Sequence, residues 1–149
     1  MGATSCAGAF LGNNKNQAAG VLAQLTSFGG TWSLLGSSDD ANNGPFTSNP
    51  AGITGTLTFD NIITGPFVLA VKAGDAFSLY YFLNGGAGVA SVVYTTAGVS
   101  INANEIPNGL SHATLYTRVS SVVPEPSTYI LFASGLLGLA LIARRRRSV

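Results

Sequence analysis

The chain has 149 residues, 46% of them hydrophobic and only 9% charged, with 19 glycines; that length holds one ordinary domain plus a tail and excludes a second catalytic domain. The low charge, with abundant Gly, Ser, Thr and Asn, marks a β-rich extracytoplasmic protein rather than a helical cytosolic one. The net charge of +1 comes from the consecutive Arg144, Arg145, Arg146 and Arg147, whereas the body sets Lys15, Lys72 and Arg118 against Asp39, Asp40, Asp60, Asp75 and Glu105; such a body has no basic field for a phosphate backbone and excludes nucleic acid as a partner.

Along the chain, Cys6 comes first and is the single cysteine. It excludes an intramolecular disulfide and a Cys-based zinc site, and reads as a small partly buried residue or a free thiol near the terminus. No apolar run precedes it, so it is not a lipoprotein cysteine, and no charged-then-apolar leader opens the sequence. Because the body reads as exported, the expectation is a precursor longer by roughly 20–25 residues at its N-terminus. "NQAAGVLAQL", Asn16 to Leu25, suits either a short helix or an edge strand.

Beyond residue 30 the turn formers Gly, Asn, Asp and Pro return at short intervals, and the segments between them alternate as strands do. In "GTLTFDN", Leu57 and Phe59 fall on one side and Thr56, Thr58 and Asp60 on the other, the pattern of a half-buried strand. "GPFVLAVKAGDAFSLYYFLNGG" reads as a hairpin: Phe67, Leu69 and Val71 share one face, Phe77, Leu79, Tyr81 and Leu83 share a face of the next strand, and "KAGDA" is the turn. "GVASVVYTTAGVSI" and "SHATLYTRV" continue the pattern, the latter with Ala113, Leu115, Thr117 and Val119 opposite His112, Thr114, Tyr116 and Arg118. Six to eight short strands and no βαβ unit give an all-β fold, an antiparallel β-sandwich of jelly-roll-like or Ig-like type, over residues 1–121.

Signals for chemistry in this body are thin. His112 is the sole histidine, and with Tyr116 and Arg118 on its strand face it forms a candidate ligand face. A single His without Cys or a carboxylate at ligand spacing is no metal site, and no G-x-S-x-G nucleophile turn is present. "DDANNG", Asp39 to Gly44, breaks the EF-hand pattern whether counted from Asp39 or from Asp40, and reads as a polar turn. Nothing in the sequence joins any two of the five acidic residues as a glycosidase pair. The aromatics Trp32, Tyr80, Phe82 and Tyr94 suit a sugar-stacking surface or the second face of the sandwich, and core packing is the commoner role. No catalytic residue, metal or cofactor is assigned.

The character of the chain then breaks. "SSVVPEPST" has two prolines that cannot donate to a sheet, so residues 122–128 read as a stiff linker. Residues 129–143 carry no charge, and the four arginines within residues 144–149 stop the run. As a helix from Ser127 to Ala143 this stretch would span roughly 25 Å against a hydrocarbon core of about 30 Å. It is short for a single transmembrane helix, but snorkelling arginines and local thinning accommodate it. The positive-inside rule keeps Arg144 to Arg147 cytoplasmic and the β domain outside. Ser134 and Gly138 have the small-xxx-small spacing that permits close helix packing in a membrane. A core helix introduced by Pro-Glu-Pro and ended by four arginines is the weaker alternative.

Pro124, Glu125 and Pro126, then Tyr129 to Ala143, then Arg144 to Arg147 at the terminus resemble the PEP-CTERM domain of Gram-negative bacteria. The resemblance implies recognition of the tripeptide by exosortase, an integral-membrane cysteine protease or transpeptidase that would be a transient partner at the inner membrane. The helix would park the substrate beside that enzyme, and the tail would be an address that is removed. "FVLAVKAGDAFSLYYF" and "GLSHATLY", Gly109 to Tyr116, resemble segments of small proteins carrying this tail. Their association with exopolysaccharide, biofilm matrix and flocs implies a non-enzymatic surface or matrix component, with exopolysaccharide as a further partner. A carbohydrate-binding module and a permanently membrane-anchored surface protein are the alternatives.

Overall fold

The computed structural model describes residues 2–14, 18–83, 88–119, 131–137 and 144. The chain divides into two units, Met1–Val119 and Ser120–Val149. The first unit contains β1 (Ser5–Leu11), α1 (Ala18–Leu25), β2 (Trp32–Ser37), β3 (Thr54–Ile63), β4 (Phe67–Ala73), β5 (Ala76–Phe82), β6 (Val89–Thr95) and β7 (Leu110–Arg118). All strand pairs are antiparallel. One sheet has the order β1-β5-β4-β7-β2, and a second pairs β3 with β6. Among the described residues the division is five plus two strands, neither the four-plus-three of an Ig-like sandwich nor the eight of a jelly roll.

The alternation in "GTLTFDN" places Leu57 and Phe59 in the core and Thr56, Thr58 and Asp60 in solvent, as expected. The hairpin also forms as read: Phe67 pairs with Phe82 and Ala73 with Ala76 across a tight turn at Gly74 and Asp75. Between the two sheets lie Leu57, Phe59, Ile63, Val92 and Tyr94 from the small sheet and Phe67, Leu69, Val71, Phe82, Ala113 and Leu115 from the large one. Phe46, Phe59, Phe67 and Phe82 form an aromatic chain across this core, with successive centroids 5.5, 5.8 and 4.6 Å apart. Gly55 makes room for its cross-strand partner on β6, because a Cβ there would lie 2.8 Å from the Tyr94 ring.

A sandwich leaves its outer faces wet, and here the structure departs from the sequence reading. Every residue of β4 is buried. Val68 and Ala70, on its outer face, belong to a second core with Val21, Leu25, Trp32, Phe77, Leu79 and Tyr116, into which Leu22, Phe28 and Tyr81 also pack. "NQAAGVLAQL" therefore resolves as a helix: Val21, Leu22 and Leu25 at i, i+1 and i+4 make one apolar stripe that covers the sheet. Its end is set locally. Thr26 Oγ1 donates to Ala23 O at 2.6 Å, Ser27 Oγ donates to Gln24 O at 2.8 Å, and Gly29 leaves helical geometry at φ 72°. A large sheet covered on both faces explains why "FVLAVKA" reads as a nearly continuous apolar run.

In the second unit, residues 131–137 are helical, with Leu131, Phe132, Leu136 and Leu137 exposed. Among the described residues no helix is long and apolar enough to cross a membrane. The span expected over residues 129–143 lies largely outside the described residues.

Candidate functional site

Two regions qualify, the C-terminal tail and the surroundings of His112. In the tail, Pro124, Glu125 and Pro126 lie outside the described residues, as do Gly138 and Arg145 to Arg147. Ser134 donates its hydroxyl to Leu131 O at 2.9 Å, returning the polar group to the helix backbone and leaving the turn apolar outside. Arg144 is helical and exposed.

The three residues of the expected ligand face do not form a surface. His112 is 3% exposed and Tyr116 fully buried in the second core, while Arg118 alone is exposed. The sequence pattern placed them on one strand face, but it could not show that the residue 14 loop and α1 cover that face. The buried Tyr116 phenol is pushed up to about 12 by desolvation.

What surrounds His112 is a closed run of polar groups. Its Nε2 lies 2.7 Å from Asn14 Oδ1. Asn14 Nδ2 donates to Thr114 Oγ1 at 2.9 Å, Thr114 Oγ1 to Ser37 Oγ at 3.3 Å, and Ser37 Oγ to Asp39 Oδ1 at 2.6 Å. Asp39 Oδ2 returns to within 3.7 Å of His112 Nδ1. Because the Asn14 amide nitrogen is committed to Thr114, its oxygen faces the imidazole, which assigns the ring proton to Nε2. The Nδ1 side faces Ser111 Oγ at 3.4 Å.

A Ser-His-Asp relay needs the serine and the carboxylate on opposite ring nitrogens. Here Ser111 and Asp39 share the Nδ1 side and Nε2 is spent on an amide, so the arrangement fastens rather than reacts. It ties the residue 14 loop and the turn after β2 to the start of β7. Ser38 extends the lacing, accepting from Ala113 N at 2.8 Å and donating to Asn49 Oδ1 at 2.7 Å. "DDANNG" is the polar turn expected, with Asp40 Oδ2 accepting from Ser37 N at 2.7 Å. Gly44 is required there: at φ 57° a Cβ would lie 2.5 Å from Ser37 O.

On β4, Lys72 sits directly opposite His112, is 5% exposed and donates to Gly74 O. Burial pulls its ammonium below the usual range, with Asp75 opposing. Trp32, Phe82 and Tyr94 are buried, as core packing requires; Tyr94 donates to Gly52 O at 3.1 Å, and its phenol is raised by burial against that bond. Asn14 was missed by sequence reasoning, since an asparagine 98 positions from its histidine leaves no local signal.

The comparisons with known proteins bear on the tail. Residues 122–147 match the family model of the PEP-CTERM protein-sorting motif. The chain carries this sorting motif at the position the residues suggested. A PEP-CTERM motif implies export and processing by exosortase at the membrane. No curated protein and no solved structure matches the chain.

Proposed function

We propose that the protein is a non-enzymatic surface or extracellular-matrix component of a Gram-negative bacterium, sorted by its PEP-CTERM tail, cut by exosortase at the inner membrane and released to an exopolysaccharide-rich exterior. The observation that carries this reading is the ordered tripeptide, apolar span and arginine stop that the family model matches at residues 122–147. The physical logic supports it. Leu131, Phe132, Leu136 and Leu137 present an apolar surface suited to lipid. An arginine cluster is suited to hold the depth of a span, and a proline has no N–H to donate to a sheet.

A permanently anchored surface protein is the second reading, favoured by the same exposed apolar side chains. Mass spectrometry of the mature C-terminus in cells with and without exosortase separates the two. Loss of Arg144 to Arg147 only when exosortase is present is the expected result. Mature surface protein that retains these arginines in normal cells would refute sorting by cleavage. Glu125→Ala is expected to leave the uncut chain in the inner membrane.

A further inference from the structure

Among the described residues, the five-plus-two division leaves part of the large sheet's inner face without an opposing strand. The core between the sheets draws on β3, β6, β4, β7 and the Phe82 end of β5, with Ala3 and Tyr80 packed half-buried at its margin. At the β1 rim, Cys6 pairs in register with Tyr80 of β5. Tyr80 is only partly buried and Cys6 is exposed. A cleft of about 350 Å³ remains there, lined by Ala3, Thr4, Ser5, Cys6, Tyr80 and Thr95 of β6, a volume within the range of small-molecule sites.

Its chemistry is specific in one respect: none of the six residues carries a formal charge, and four carry hydroxyls. Two of those hydroxyls are held in place. Thr4 Oγ1 accepts from Leu83 N at 3.0 Å, and Thr95 Oγ1 accepts from Ala97 N at 3.2 Å. Each still has an O–H proton to give, and neither has an acceptor among the described residues. The Tyr80 phenol is pushed up by burial and then by the neighbouring Cys6, with a bond to Ser78 opposing, so it stays a neutral donor at physiological pH. Its ring and the Ala3 methyl supply apolar surface.

Fixed hydroxyls around an aromatic ring complement a ligand whose groups both donate and accept and whose ring has an apolar face of C–H bonds. A carboxylate or phosphate would be desolvated here without a cation. We propose that this cleft binds a single neutral pyranose unit, with the Tyr80 ring as its platform and the Thr4 and Thr95 hydroxyls as its polar anchors. The site does not depend on the sorting reading, because all six residues lie in the Met1–Val119 unit, whatever becomes of the tail.

Cys6 is the only thiol in the chain and lines the cleft, so its alkylation reports occupancy. The full chain, kept in a non-glycosidic detergent, is reacted with a maleimide in the presence of methyl glucoside, methyl galactoside, methyl mannoside or N-acetylglucosamine, with glucuronate as the charged control. A drug-like efficiency per atom gives a ligand of this size a Kd of about 1 mM. Labelling should then slow roughly tenfold at about 10 mM of a favoured neutral pyranoside. Thr95→Val keeps a β-branched strand residue and should raise the Kd about threefold or more through one lost hydrogen bond, with protection read against the variant's own unprotected rate; Tyr80→Leu should abolish protection. The proposal is overturned if no neutral pyranoside slows labelling at about 100 mM, a hundredfold excess over that Kd. It is equally overturned if glucuronate protects as well as they do, or if Thr95→Val and Tyr80→Leu both bind as the parent does. None of these results bears on the mass of the mature C-terminus, so the sorting reading stands or falls separately.

Discussion

Tyr116→Phe should make this protein more stable, against the general rule that core substitutions destabilise. Tyr116 is fully buried among Val21, Leu25, Val68, Ala70 and Phe77, and its hydroxyl has no hydrogen-bond partner among the described residues. A buried unpaired hydroxyl costs about 1–3 kcal/mol in desolvation, and removing it while keeping the ring leaves almost no cavity. The variant should therefore gain about 1–3 kcal/mol at neutral pH, seen as a urea midpoint raised by about 0.5 M or more. Trp32 is the only tryptophan and is 6% exposed beside this cluster, so its emission follows unfolding of the full chain. A second signature lies in alkali. Burial raises the folded phenol to about 12 from 10.0, so between those values the unfolded chain loses its proton while the folded one keeps it. Stability from this group is thus intact below pH 10 and falls by about 1.4 kcal/mol per pH unit above it. Tyr80 and Tyr94 are also raised by burial, so the difference between parent and variant isolates Tyr116. A variant less stable by more than about 1 kcal/mol would mean that the hydroxyl is bonded, and one with the parent's alkaline slope would mean that the phenol ionises as readily in the folded chain as in the unfolded one; either result would refute the reasoning.

Gly55→Ala should lower the melting temperature through about 1–3 kcal/mol of overpacking against Tyr94; an unchanged transition by circular dichroism would remove the close approach of β3 to that ring. Asn14→Ala leaves His112 Nε2 and Thr114 Oγ1 without their amide partner and should cost about 1–3 kcal/mol. In a double-mutant cycle with His112→Ala the coupling should be about 0.5–3 kcal/mol, and strict additivity would mean that the network does not act as a unit. Leu25→Ala, at a fully buried position under the sheet, should cost about 2–5 kcal/mol, measured by urea titration; a loss below about 0.5 kcal/mol, the range of surface substitutions, would show that α1 is not a structural layer.

The strands and the address are legible in the order of residues. Alternation in "GTLTFDN" and in the two strands around "KAGDA" depends only on the two-residue pleat, which each segment writes into its own neighbours. The hairpin needs no distant partner to close, and its register follows from a short turn. The tail is legible for a similar reason: tripeptide, span and arginines act in order along one stretch, and no fold is required to bring them together. What covers each strand follows from long-range packing. "FVLAVKA" names a buried strand, but α1 packs on one side of it and β3 and β6 on the other through contacts between residues far apart in sequence. That layering converted His112 and Tyr116 from an expected ligand face into core, and joined His112 to Asn14 across 98 positions. It also left two strands to cover five, so that Cys6, Tyr80 and Thr95, from three separate strands, meet at an open rim. Local pattern reports which side of a strand is apolar; whether that side meets solvent, helix or cleft depends on pairings that no single segment encodes.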